Sequence, residues 1–170
     1  MVNIRPEKAG DEDAIYRLTL AAFEPMFFSD GSEAPLIGEL RADGDLTLSL
    51  IAEINGEIVG HIAFSPVTID GRHDDWFGLG PVSVSPDLQG QGIGRALVEK
   101  GLQLLRARGA KGCALTGNPD IYRRMGFESD GNLRYGSLDT AFVQRMVFSG
   151  QPPSGELKFA PAFGDEYPAE

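Results

Sequence analysis

Three glycines fall within five residues at Gly90, Gly92 and Gly94, inside the run Gln89-Gly90-Gln91-Gly92-Ile93-Gly94-Arg95. Glycine is avoided in helix and strand interiors, so a cluster like this marks backbone that must stay bare. An alternating apolar run precedes it and an amphipathic run follows, which places the loop between a strand and a helix. Such a loop offers unpaired backbone N–H groups at the positive end of a helix dipole, and the missing Cβ atoms let a phosphate approach those amides. The chemistry is therefore anion binding. A dinucleotide fingerprint needs a glycine where Arg95 stands, and the lysine-containing P-loop pattern is absent.

The flanking elements follow from periodicity. The stretch before the loop, Asp75 to Pro86, reads as a strand, and Ile93, Ala96, Leu97, Gly101, Leu104 and Leu105 recur at helical spacing up to Gly109. "KGCALTG" has strand length, so strand, helix and strand from Trp76 to Thr116 form a crossover with two parallel strands and the glycine loop at the carboxyl end of the first. Upstream, "VNIRP" reads as a strand. Ala14, Ile15, Leu18, Ala21 and Ala22 then define one helix, and a second is entered at Ser32 and Glu33. Two further strands, 46–54 and 57–69, join with the one before the loop in an antiparallel meander, turning at Asn55-Gly56 and Asp70-Gly71. "PDIYRRMGF" is a short helix stopped at Gly126, and "NLRYGS" and "GELKFAPAF" are later strand candidates. The expected class is α/β, an α+β mixed sheet.

Composition narrows the setting. The 170 residues suit one domain, 1–170, and 42% apolar with 24% charged residues is ordinary for a globular chain. A net charge of −10 argues against nucleic acid, which selects basic faces, and suits a cationic partner, an acidic surface being equally readable as a solubility device. Cys113 is alone and only His61 and His73 accompany it, so neither a disulfide framework nor a metal site is expected. The N-terminus has no signal-like pattern and no run approaches a membrane span, so a cytoplasmic protein with no membrane partner is expected.

Around the loop, Gln89, Gly92 and Gly94 fill the pattern Q/R-x-x-G-x-G/A, and "LGPVSVSPDLQGQGIGRAL" and "ALTGNPDIYRRMGF" extend the match. Here the chain resembles the GNAT superfamily of acyl-CoA-dependent N-acyltransferases, over about residues 3–163 and in the order of its elements; the late "GELKFAPAF" is similar to a bacterial predicted-acetyltransferase subgroup. The resemblance implies the GNAT fold, a mostly antiparallel sheet with a splayed parallel strand pair and flanking helices. It implies acetyl-CoA as acetyl donor, with no metal.

The site residues come from the same resemblance. Main-chain groups of Val82, Ser83 and Val84 would hold the pantetheine arm, and Pro81 suits a bulge or splay. Gln89, Gly90, Gln91, Gly92, Ile93, Gly94 and Arg95 would hold the pyrophosphate, Arg95 also being readable as a solvated helix charge. Asn118 matches a pantetheine-binding position and is equally a helix cap ahead of Pro119. Tyr122 matches a cofactor-contacting position beside the sulfur, where its hydroxyl would protonate the departing thiolate. An alkylamine of pKa about 10.4 needs a base first. Glu24, His61, Ser65, His73, Asp74 and Asp75 stay open for that part, and Glu24, Phe27, His61 and Ser65 are candidates for the substrate pocket. Cys113 in an apolar strand is expected to be a buried, inert thiol, which disfavours an acyl-cysteine route. The expected reaction is direct acetyl transfer to a small cationic primary amine; a peptide amine acceptor and a non-catalytic acyl-CoA sensor are the alternatives. Strand edges near the C-terminus would permit a homodimer.

Overall fold

The computed structural model describes residues 1–26 and 29–164. In chain order the elements are β1 (Asn3–Pro6), α1 (Glu12–Phe23), α2 (Glu33–Asp43), β2 (Leu48–Ile54), β3 (Glu57–Pro66), β4 (Thr68–Ile69), β5 (Trp76–Val84), α3 (Ile93–Ala107), β6 (Gly112–Thr116), α4 (Pro119–Tyr122), β7 (Leu133–Arg134), β8 (Val143–Val147) and β9 (Gly155–Lys158). The larger sheet runs β1-β2-β3-β5-β6-β8, and a smaller one β4-β9-β7. The expected mixed α/β class holds. By contacts the chain divides into two compact units, Met1–Phe64 with Gly80–Gly101, and Ser65–Leu79 with Leu102–Glu170.

In the first unit β1 and β2 pair antiparallel, as do β2 and β3, through a hairpin whose Asn55 and Gly56 take φ of 51° and 81°. Two positive φ values in succession are what a tight hairpin needs, and this pair supplies them cheaply. The faces of the sheet follow from two contacts. A Cβ on Gly60 would lie 3.0 Å from Ile93 and Leu97, so Gly60 faces α3. Ile51, directly opposite His61 in the register, packs with Ile15 of α1 and Ile37 of α2. Residues alternate along a strand, so His61 faces α1 and α2. Each buried isoleucine in that cluster contributes roughly 1.5–3 kcal/mol.

In the second unit β6 pairs antiparallel with β8, and Val67, Trp76, Ala114, Leu133, Tyr135, Val143 and Leu157 form the core. The parallel ladder of β5 with β6 joins Trp76, Phe77 and Gly78 to Gly112, Cys113 and Ala114. Among the described residues it stops there, although β5 continues to Val84 and β6 to Thr116. Pro81 lies beyond its end, where no N–H need be donated to that ladder.

Three sequence expectations change. The strand expected over 57–69 is interrupted at Val67, whose N–H bonds to Trp76 O, and β4 pairs with β9 instead. The two late strand candidates shrink to Leu133–Arg134 and Gly155–Lys158. β8 was not expected at all.

Candidate active site

The first unit carries the glycine loop. β5 ends at Val84, Ser85 N–H donates to Val59 O at 2.8 Å, and a single 3₁₀ turn spans Pro86–Leu88. The Gln89 side chain turns back and donates to Val84 O at 3.1 Å. Gly90 and Gly92 take φ of 80° and 87°, which side chains other than glycine reach only with strain, and nothing lies within 4 Å of the Cβ either lacks. Gly92 O accepts the first helical bond, from Ala96 N–H, at 3.0 Å.

Gly94 differs from the other two. Its φ is not positive, and a Cβ there would sit 3.6 Å from Val84, an ordinary contact. Neither backbone conformation nor packing demands glycine at 94. Arg95 pairs with Glu99 at 2.8 Å, both largely exposed. Val84 therefore faces α3 and Ser83 the opposite side. Ser83 is buried, and its hydroxyl has no hydrogen-bond partner among the described residues.

The buried His61 ends a half-buried chain of polar groups on the α1/α2 side. Arg41 grips the Glu7 carboxylate with Nε at 2.8 Å and Nη2 at 3.0 Å. Ser49 donates its hydroxyl to Glu7, so its oxygen accepts from His61 Nε2–H at 2.8 Å. The tautomer follows from that network. Burial works to raise Glu7, but the bonds from Arg41 and Ser49 outweigh it and hold the carboxyl below its ordinary range. Burial pushes His61 down to about 4, against the pull of the Glu7 charge, so the imidazole is neutral at neutral pH. Its Nδ1 has no partner among the described residues. A fully buried imidazole this weakly basic is a poor match for an ammonium of pKa about 10.4.

Glu24, just past the end of α1, lines a cavity of about 460 Å³ together with Thr19, Phe23, Ser29, Glu33 and Ala34. Neither His61 nor Ser65 is among the residues lining it. Ser65 is buried with an unpartnered hydroxyl, and Phe27 lies outside the described residues. Glu33, which the sequence offered only as a helix-entry residue, is 3% exposed; the one prior signal was a carboxylate among apolar neighbours.

The second unit holds Asn118 and Tyr122. Asn118 Oδ1 caps α4 by accepting from Asp120 N–H at 2.9 Å, with Pro119 in the first turn. The Tyr122 ring lies against Gly117, where a Cβ would come 2.7 Å from it, and meets Phe127 edge-on at 6.1 Å. Gly117 is held at both ends, N–H to Phe142 O and C=O to the buried Gln144 side chain, each at 3.0 Å. Nothing in the sequence pointed to Gln144. His73 Nδ1 lies 3.1 Å from Val67 O, and Asp74 is paired with Lys111 at 2.7 Å and thereby lowered. Asp75 is exposed, and its carbonyl accepts from Lys111 N–H at 2.9 Å. Cys113 is fully buried, and burial raises its thiol far above the ordinary value, leaving no thiolate for nucleophilic attack.

Residues 12–127 match the acetyltransferase (GNAT) family. The chain is 38% identical over 126 residues to an uncharacterized N-acetyltransferase, YhbS, of Escherichia coli (strain K12), covering 71% of this chain and 75% of that protein. A GNAT family acetyltransferase from Brucella melitensis, solved in complex with acetyl-CoA, superposes with a TM-score of 0.86 at 43% identity, covering 96% of this chain and 98% of that one. YhbS from Escherichia coli, solved in complex with CoA, gives 0.84 at 32% identity over 95% and 91%.

Proposed function

Because the chain belongs to the acetyltransferase (GNAT) family, we propose that it moves the acetyl group of acetyl-CoA to a primary amine by direct attack in a ternary complex. The observation that carries this is the loop from Gln89 to Arg95: open space before Gly90 and Gly92, and a glycine at 94 that neither φ nor packing requires. Amides at the start of α3 and the helix dipole favour the pyrophosphate there. The similar proteins solved with acetyl-CoA and CoA support the same donor. Val82, Ser83 and Val84, past the end of the parallel ladder, are the main-chain groups for the pantetheine arm.

In the chemical step the amine nitrogen attacks the thioester carbonyl carbon, the C–N bond forms, and the C–S bond breaks with the electron pair leaving on sulfur. Tyr122 gives the thiolate its proton, and the proton lost from the amine passes to a carboxylate or water. Asn118 uses its oxygen in the cap, which leaves the amide N–H groups for the pantetheine. The buried state of Cys113 supports direct attack over an acyl-cysteine.

The test is Tyr122→Phe, followed by thiol release from acetyl-CoA across an amine panel and by CoA titration. The variant should bind CoA as the wild type does and lose about 10²-fold or more in kcat. Unchanged turnover removes Tyr122 from the mechanism. Tight CoA binding by the wild type with no turnover on any amine or basic peptide favours a sensor.

A further inference from the structure

Glu33 opens α2 and is 3% exposed, yet among the described residues its carboxylate accepts one hydrogen bond, from Ser29 Oγ at 2.6 Å. Among the described residues it has no ion pair. Burying a carboxylate without a cation is costly, and burial with one neutral donor and a helix dipole offsets only part of that cost. Glu33 lines the cavity between α1 and α2, with Glu24 as a second carboxylate, likewise without an ion pair among the described residues. The other walls are apolar or already bonded: Phe23 and Ala34 are buried, and the Thr19 hydroxyl donates to Ile15 O at 2.7 Å.

A cavity of about 460 Å³ with largely apolar walls and a buried carboxylate that has no ion pair among the described residues suits an aliphatic cation. We infer that Glu33 is the anchor for the ammonium of the acceptor, so that this cavity selects small aliphatic amines in their charged form over neutral nucleophiles of the same shape. Glu24 adds a second, exposed charge at the same cavity. The inference rests on acetyl transfer to amines but concerns binding, so the two can fail separately.

The test uses the CoA-saturated protein with 1,4-diaminobutane and the neutral isostere 1,4-butanediol, read by calorimetry and by the shift in Tm. Wild type should bind the diamine and not the diol. Glu33→Gln keeps the acceptor for Ser29 and the volume, and should weaken the diamine by about 10- to 100-fold, the scale of a hydrogen bond to a charged group. In turnover its amine KM should rise similarly while its acetyl-CoA KM stays put. Glu33→Asp, which keeps the charge, should retain more affinity than Gln, and Glu24→Gln should lose less; these two carry the comparison if Glu33→Gln loses its cooperative melt. Equal diamine affinity in wild type and Glu33→Gln, no diamine binding, or equal binding of diamine and diol overturns the inference. Glu33-dependent diamine binding without acetyl transfer overturns the proposed turnover and leaves the anchor standing.

Discussion

His61 sits where a catalytic base was one of the candidates, and its physics is that of a core residue with a pH cost. The unfolded chain takes up the imidazole proton near the ordinary 6.5, whereas the folded chain resists until about 4. Between those values the unfolded state holds more protons, so stability is fully present above about 6.5 and falls as pH drops toward 4, by up to about 3 kcal/mol. His61→Gln should flatten that part of the Tm-against-pH curve. Parallel curves for wild type and variant would remove His61 from the pH dependence. Cys113 makes a simpler prediction: Cys113→Ala should leave kcat within about twofold, because a buried, protonated thiol takes no part in transfer. A large loss of kcat in a folded variant would reopen the covalent route.

At the scale of elements, the glycines separate what the fold needs from what a ligand needs. Gly94→Ala should leave Tm nearly unchanged, since the added methyl makes an ordinary contact, while CoA affinity measured by calorimetry drops. Equal affinity would mean that the start of α3 does not approach the ligand closely. Within α3, a Cβ at Gly101 would collide with the Phe64 ring, so Gly101→Ala should cost about 1–3 kcal/mol despite its better helix propensity. Gly38 in α2 has open space, and Gly38→Ala should gain up to about 1 kcal/mol. Denaturant melts of the two variants should move in opposite directions. Elements with local causes were legible: α1, α2, α3 and the Asn55-Gly56 turn each announce themselves by period or by glycine. β8 did not, because Gln144 and Arg145 are buried on its two faces beside the core residue Val143, which erases any apolar/polar alternation. The break at Val67 was equally hidden, since the partner of β4 is β9, far along the chain.

For the whole molecule, the glycine loop and its place between a strand and a helix were legible because one continuous stretch builds them. The anchor proposed for the acceptor was not, because Glu33 draws its meaning from its burial and from the cavity it lines with residues of α1, and the Glu7, Ser49 and His61 chain joins three separate segments. The net charge of −10 and two carboxylates on one cavity with no ion pair among the described residues both suit the cationic amine proposed as acceptor. Among the described residues no helix is long and apolar enough to cross a membrane. The most direct test is to incubate the protein with acetyl-CoA and a panel of aliphatic amines and basic peptides, measuring released thiol and acetylated amine together by mass spectrometry. Direct transfer requires one N-acetylated product per thiol, and no thiol release when the amine is left out. CoA binding with no acetylated amine from any acceptor, or thiol release independent of amine, would contradict it.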